Sequence, residues 1–198
     1  MTDEEDKLKD YKAKRDFSKT SEPEGKEVKS GKSIFVVQKH DASNLHYDFR
    51  IEMDGVLKSW AVPKGPSMNP SVRRLAVPTE DHPLDYAEFE GVIPEGEYGA
   101  GAVIVWDTGT FRNMKADKEE DKGRMTLEES HEEGKMELFL DGEKLKGGFA
   151  LIRTGGGKKP RWLLIKMRDD FVDEGSPITE REESVESGRT LDEVRGQE

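Results

Sequence analysis

The 198-residue chain contains no cysteine, which excludes a disulfide framework and a thiolate zinc site. It is also poor in apolar residues, at 32% against 38% charged. Roughly 140 residues can sustain a core, and the rest should be solvated. The length suits one domain plus tails, or at most two small domains. No apolar run approaches the roughly 18 residues of a membrane span. The acidic start Met1–Asp6 lacks the features of a signal peptide. These absences lead us to expect a soluble, cytoplasmic protein with no membrane partner.

A net charge of −11 argues at first against a polyanionic partner. Its distribution says otherwise. Residues 1–10 carry a net −3, residues 116–134 a net −5 and residues 169–198 a net −8, which leaves +5 for everything else. Residues 29–75 hold eight Lys/Arg against four Asp/Glu. A locally basic face on an acidic protein is compatible with nucleic acid, although a scattered solvated surface would give the same counts.

Residues 7–17 predict a short helix with Leu8 and Tyr11 inward, and Thr20–Ser30 a linker. Strand patterns then take over: Ser33–Gln38, Leu45–Met53, Val56–Val62, Arg73–Val77, Ala102–Trp106 with Thr110–Phe111, Lys135–Leu140, Lys146–Arg153 and Trp162–Met167. Asp54-Gly55 and Asp141-Gly142 are hairpin signals. Residues 80–99 show no period and suggest an ordered loop. Ala116–Asp121 is a charged insertion, expected to be mobile, and Thr126–Glu133 a helical turn or two. The fold class is mainly β: a compact closed or nearly closed β-barrel with one or two short flanking helices and disordered acidic tails. We divide the chain into an N-terminal arm (1–30), a barrel domain (31–168) and an acidic, disordered tail (169–198).

Histidine is scarce too. The chain has four, and His40 and His46 lie within seven residues. On a strand His46, Asp48 and Arg50 share one face, while Leu45, Tyr47, Phe49 and Ile51 share the other. Two histidines and a carboxylate are a common ligand set for a divalent transition metal with open positions. An arginine beside them suits a phosphate oxygen, although it would also serve as an ordinary ion-pair partner of Asp48 or Glu52. The spacing therefore points to a metal-assisted site that handles phosphate, against the alternative of a merely polar strand face. His82 precedes Pro83, which keeps it off any helix. His131 has no ligand partners at useful spacing and is expected to be solvated. Trp60, Trp106 and Trp162 sit in apolar strands and are expected in the core. The Gly-rich run 91–101 lacks the Lys-Ser/Thr of a P-loop and reads as turns.

An ordered set of motifs extends the cluster. His40-x5-His46-x-Asp48-x-Arg50 precedes Trp60-Ala-Val-Pro-Lys-Gly-Pro-Ser67. Arg73-Arg-Leu-Ala76, Thr79-Glu-Asp-His-Pro-Leu-Asp-Tyr86 and Glu90-Gly-Val-Ile-Pro-Glu-Gly-Glu-Tyr-Gly-Ala-Gly101 follow. Over about residues 11–168 this succession resembles the 3'-phosphoesterase domain of bacterial DNA ligase D and its free-standing archaeal relatives. The resemblance implies a compact β-barrel with a manganese-dependent site, other divalent transition metals being compatible. It implies DNA 3' ends in primer–templates as substrate, including those with a terminal ribonucleotide. The ribonucleoside would be removed to leave a 3'-phosphate, and the phosphate then removed to leave a 3'-hydroxyl. By the family pattern His40, His46 and Asp48 are metal ligands, and Arg50 and His82 contact the scissile phosphate. Lys64, Arg74, Glu80 and Tyr86 complete the site. Arg15, Asp16 and Glu22 match an N-terminal element that supports the diesterase step.

Two other readings compete: a noncatalytic barrel that binds nucleic-acid ends and recruits a ligase, and a hydrolase of small phosphate esters. The chain carries no Lys-x-Asp-Gly nucleotidyl-transfer motif. We therefore expect separate ligase and polymerase partners, and a monomer.

Overall fold

The computed structural model describes residues 7–25, 31–155 and 157–196. Nine strands occur in chain order: β1 (Ile34–Asp41), β2 (Leu45–Met53), β3 (Val56–Val62), β4 (Arg73–His82), β5 (Gly91–Ile93), β6 (Gly101–Asn113), β7 (Lys135–Gly142), β8 (Lys146–Thr154) and β9 (Arg161–Lys166). Their order is β1-β2-β3-β4-β9-β8-β7-β6, and β6 pairs back onto β1. This closes an eight-stranded antiparallel barrel, to which β5 adds one more strand along β6. Closure leaves none of the eight barrel strands as a free edge. The β2–β3 turn is pinned by Asp54 and Gly55, both at positive φ (54° and 80°), as a two-residue hairpin of this type requires. Gly101 is needed where β6 passes β1: a Cβ there would lie 1.9 Å from the Asp41 carbonyl oxygen.

The alternation read from the sequence separates two faces. Tyr47, Phe49, Ile51, Trp60, Val62, Leu138, Leu140, Phe149, Leu151, Trp162 and Leu164 fill the interior together with Trp106. The three tryptophans are core residues, as the sequence suggests. A second apolar cluster lies outside the barrel wall. There Tyr11 from helix α1 (Lys9–Ala13) and Leu84, Tyr86 and Ala87 from a 3-10 helix (Leu84–Glu88) pack on Val36, Leu57, Val103 and Val105. This outer cluster brings the N-terminal arm beside the histidine face of the sheet.

Several expectations need correction. Strand β4 runs on to His82 and does not end at Val77, and β6 is one long strand, not two. The 80–99 segment contains the 3-10 helix and β5. The insertion expected to be mobile forms 3-10 turns at Met114–Asp117 and Glu120–Lys122. His131 is not simply solvated. It lies on helix α2 (Leu127–Glu133), started by a Thr126/Glu129 capping box, and stacks on Trp162 with ring centroids 5.4 Å apart. Its environment is set by the packing of this short helix against the barrel, which spacing to metal ligands cannot reveal.

The acidic tail is the largest correction. Residues 169–196 are not disordered but run as a belt against the barrel. The Asp173 amide donates to the Met68 carbonyl, the Trp106 indole N–H to the Arg181 carbonyl at 2.6 Å, and the Val185 amide to Val105. Ile178 packs on the main core. Leu191 and Val194 of helix α3 (Leu191–Arg195) pack on Ala102 and Ile104. A low apolar fraction predicts disorder only when the few apolar residues have nowhere to go. Here Ile178, Val185, Leu191 and Val194 pack on apolar clusters of the barrel, and most of the acids stay outside. The linker expected at Thr20–Ser30 falls partly on residues 26–30, outside the described residues, as do residues 1–6 and 197–198 of the two tails.

Candidate metal centre and active site

The β1–β2 register sets His40 directly opposite His46, Gln38 opposite Asp48 and Val36 opposite Arg50. His40, Gln38, His46, Asp48 and Arg50 therefore point to one side, away from the barrel interior. Each candidate ligand of the His40, His46 and Asp48 set offers an atom within 4.8 Å of the others. Asp48 Oδ2 lies 3.5 Å from His40 Nδ1 and 3.2 Å from His46 Nε2.

Both imidazoles have their second nitrogen committed. His40 Nε2 lies 2.6 Å from the Gly99 carbonyl oxygen and His46 Nδ1 lies 2.9 Å from that of Asn44. A carbonyl only accepts, so each of these nitrogens carries the proton and donates it. His40 Nδ1 and His46 Nε2 are the nitrogens turned toward Asp48 Oδ2 and available to a cation. Metal-ligating histidines have this arrangement: a backbone oxygen fixes the tautomer and the ring orientation. Burial would raise the Asp48 carboxyl, but Arg50 and the two histidines outweigh it and hold the group well below its usual range. Burial lowers the His46 imidazole, but its hydrogen bond and charge interaction with Asp48 outweigh burial and raise it. The donor set of one ionised carboxylate and two imidazole nitrogens converging on it fits a divalent transition metal with open coordination positions, which would displace a proton held there.

Arg50, almost fully buried, is held between Asp48 (3.5 Å) and the Gln38 side-chain oxygen (2.8 Å), with His82 beside it. Gln38 in turn donates to the Tyr86 and Phe89 carbonyls. His82 donates from Nδ1 to the Glu80 carbonyl at 2.8 Å, and its Nε2 faces Arg15 Nη2 at 3.4 Å. Burial, then Arg50, then Arg15 push the His82 imidazole well below its ordinary value, so it is neutral near pH 7. Two guanidiniums and an imidazole gathered around one space make an anion receptor. Arg15 is itself paired with Glu22 at 2.9 Å and Glu80 at 3.4 Å. Tyr86 donates its hydroxyl to Glu22 at 2.7 Å, and burial, followed by the Glu22 charge, raises its phenol well above the usual value.

The cavity is lined by Arg15, His40, His46, Asp48, Arg50, Glu80, His82 and Tyr86, and measures about 260 Å³. The structure thus gathers eight of the twelve residues expected from the sequence, with Glu22 directly behind them. Three stand apart. Lys64 is exposed in the turn after β3, Arg74 pairs in register with Leu164 of β9, and Asp16 is an exposed cap for Ser18. None of these three lines the cavity. The sequence reading missed Gln38, Tyr98 and Gly99. Gln38 shares the strand face of His40, a signal that alternation alone could have given. Gly99 acts through its carbonyl, for which side-chain chemistry gives no signal.

Residues 38–153 match the family described as DNA Ligase D 3'-phosphoesterase domain. The multifunctional non-homologous end joining protein LigD of Pseudomonas aeruginosa is 51% identical over 191 residues, covering 93% of this chain and 22% of the relative. The proteins of the same description from Mycobacterium bovis and Mycolicibacterium smegmatis are each 46% identical over 166 residues, covering 83% of this chain and 20% and 21% of the relatives. The chain spans about a fifth of the length of these relatives. Together with a barrel that carries His40, His46, Asp48, Arg50 and His82 on one face, these matches show that the chain belongs to the DNA ligase D 3'-phosphoesterase domain family.

Proposed function

We propose that this protein is a manganese-dependent phosphoesterase that heals DNA 3' ends for non-homologous end joining. It removes a 3'-terminal ribonucleoside as a phosphodiesterase, and then the remaining 3'-phosphate as a phosphomonoesterase, leaving a 3'-hydroxyl. The observation that carries the reading is the adjacency of the His40–His46–Asp48 set to an anion receptor built from Arg50, His82 and Arg15. A barrel that only bound DNA ends would need the cations but not two histidines clustered around a buried carboxylate.

In this reading His40, His46 and Asp48 hold the cation. When bound, such an ion neutralises phosphate oxygens and lowers the pKa of a coordinated water. Arg50, rigid between Asp48 and Gln38, binds a non-bridging oxygen of the scissile phosphate. His82 contacts the same phosphate; its neutral form avoids repulsion with the two guanidiniums until the anion arrives. Glu80 and Glu22 orient Arg15 from opposite sides, and Tyr86 holds Glu22. We assign Lys64, Arg74 and Asp16 to contacts with DNA beyond the scissile phosphate. Sealing and synthesis would fall to ligase and polymerase activities outside the residues of this chain, and we propose that the domain acts as a monomer.

The test is a 5'-labelled primer–template ending in one ribonucleotide, incubated with manganese. Stepwise conversion to a 3'-phosphate and then to a 3'-hydroxyl is expected. Binding without any conversion would leave the recruitment reading instead.

A further inference from the structure

Tyr98 is the one large exposed aromatic among the described residues that line the cavity, with 49% of its surface accessible. The other aromatic rings there are engaged: His40 and His46 flank Asp48 at the candidate metal position, His82 is buried against Arg50, and Tyr86 is buried with its hydroxyl on Glu22. Tyr98 sits one residue before Gly99, whose carbonyl takes the His40 proton and whose φ of +76° turns the chain there. The ring therefore belongs to the same backbone turn that orients a metal ligand. Across from it the N-terminal arm brings Arg15 and Lys14 to 5.5 and 4.9 Å from the ring centroid, and Lys19 reaches Glu97 on the same turn at 3.9 Å. Lys14 and Arg15 are also anchored to Glu80. A half-exposed aromatic ring thus stands beside an anion receptor, with Lys14 and Arg15 of the arm held against it.

From this geometry we infer that Tyr98 is the stacking platform for the nucleobase of the 3'-terminal nucleoside, and so a specificity residue that favours nucleoside-bearing ends over phosphate ends. The inference rests on the proposed end-healing reaction and deepens it. A phosphodiester end carries a base beyond the scissile phosphate; a 3'-phosphate end carries none at that place. Stacking on a ring is tolerant of base identity, because every base has a π-face. It should therefore raise affinity for the leaving nucleoside without selecting its sequence.

The test crosses two changes: Tyr98→Ala, with Tyr98→Phe as the conservative partner, and removal of the terminal base to leave an abasic ribose on the same primer. KM and kcat are measured for both ends and for the 3'-phosphate end. Base–aromatic stacking corresponds to about tenfold or somewhat more in binding. Tyr98→Ala should raise KM about tenfold more on the base-bearing end than on the abasic end, while Tyr98→Phe should retain the wild-type preference. An equal loss of Tyr98→Ala on base-bearing and abasic ends would overturn the stacking role. If the wild-type protein converts none of these ends, the end-healing reading itself fails, a result distinct from an equal loss.

Discussion

Tyr86 and Glu22 are joined by a 2.7 Å hydrogen bond across 64 residues of sequence. The contact ties the N-terminal arm to the 3-10 helix behind the active site, and it sets the position of Arg15 through the same carboxylate. Tyr86→Phe should therefore cost about 1 kcal/mol of stability, the usual value of one buried hydrogen bond, and loosen the arm. Thermal melts and protease sensitivity of residues 7–25 measure both. An unchanged arm would show that Tyr86 acts elsewhere.

Arg15→Ala and Glu22→Ala should impair removal of the ribonucleoside more than hydrolysis of a terminal 3'-phosphate. Arg15 lines the cavity from the N-terminal arm, outside the strand cluster, a placement suited to holding a longer substrate. Paired kinetics on the two ends check this, and equal losses would remove the selective role of the arm. Glu22→Gln should do less damage than Glu22→Ala, because it keeps an acceptor for the Tyr86 hydroxyl.

Deleting residues 172–196 should destabilise the protein. The belt buries Leu191 and Val194 and packs Ile178 on the core; each such side chain contributes about 1.5–3 kcal/mol. A loss of about 4 kcal/mol or more, seen as an earlier denaturation midpoint, is expected. A midpoint equal to that of the whole chain would return the tail to the solvated state that its composition suggests.

That tail marks where the sequence stops being informative. Strands β2 and β3 were legible to the residue, because alternation and the Asp54-Gly55 turn both act locally. The His46–Asp48–Arg50 face followed from the same period of two. His40 opposite His46 required a pairing register, which the short turn between them supplies. Arg15, Glu22 and Glu80 came together only through the outer apolar cluster of Tyr11, Leu84 and Tyr86, a tertiary event that no local pattern encodes. The belt was hidden because its few anchors, Ile178, Val185, Leu191 and Val194, are diluted by acids over almost thirty residues.

His131 should make stability depend on pH. Burial first, then Lys58 and Arg153, lower its imidazole below the ordinary 6.5. The unfolded chain thus takes up a proton at a pH where the folded protein does not. Its contribution to stability is full above about pH 6.5 and falls as pH drops below that value toward the folded-state pKa. His82 acts in the same direction, so the informative quantity is the difference between wild type and His131→Phe. The variant should lose less stability between pH 7 and pH 5 in denaturant titrations followed by tryptophan fluorescence. Parallel pH profiles would contradict the assignment.

The central claim is that His40, His46 and Asp48 hold the cation that end healing requires. Electron paramagnetic resonance of free manganese, titrated into wild type and into His40→Ala, His46→Ala and Asp48→Ala, tests it most directly when paired with the primer assay. The account predicts one site per wild-type chain, loss of that site in each variant with the fold retained by circular dichroism, and loss of both cleavage steps together with the site. Stoichiometric manganese binding and near-wild-type turnover in any one variant would contradict it.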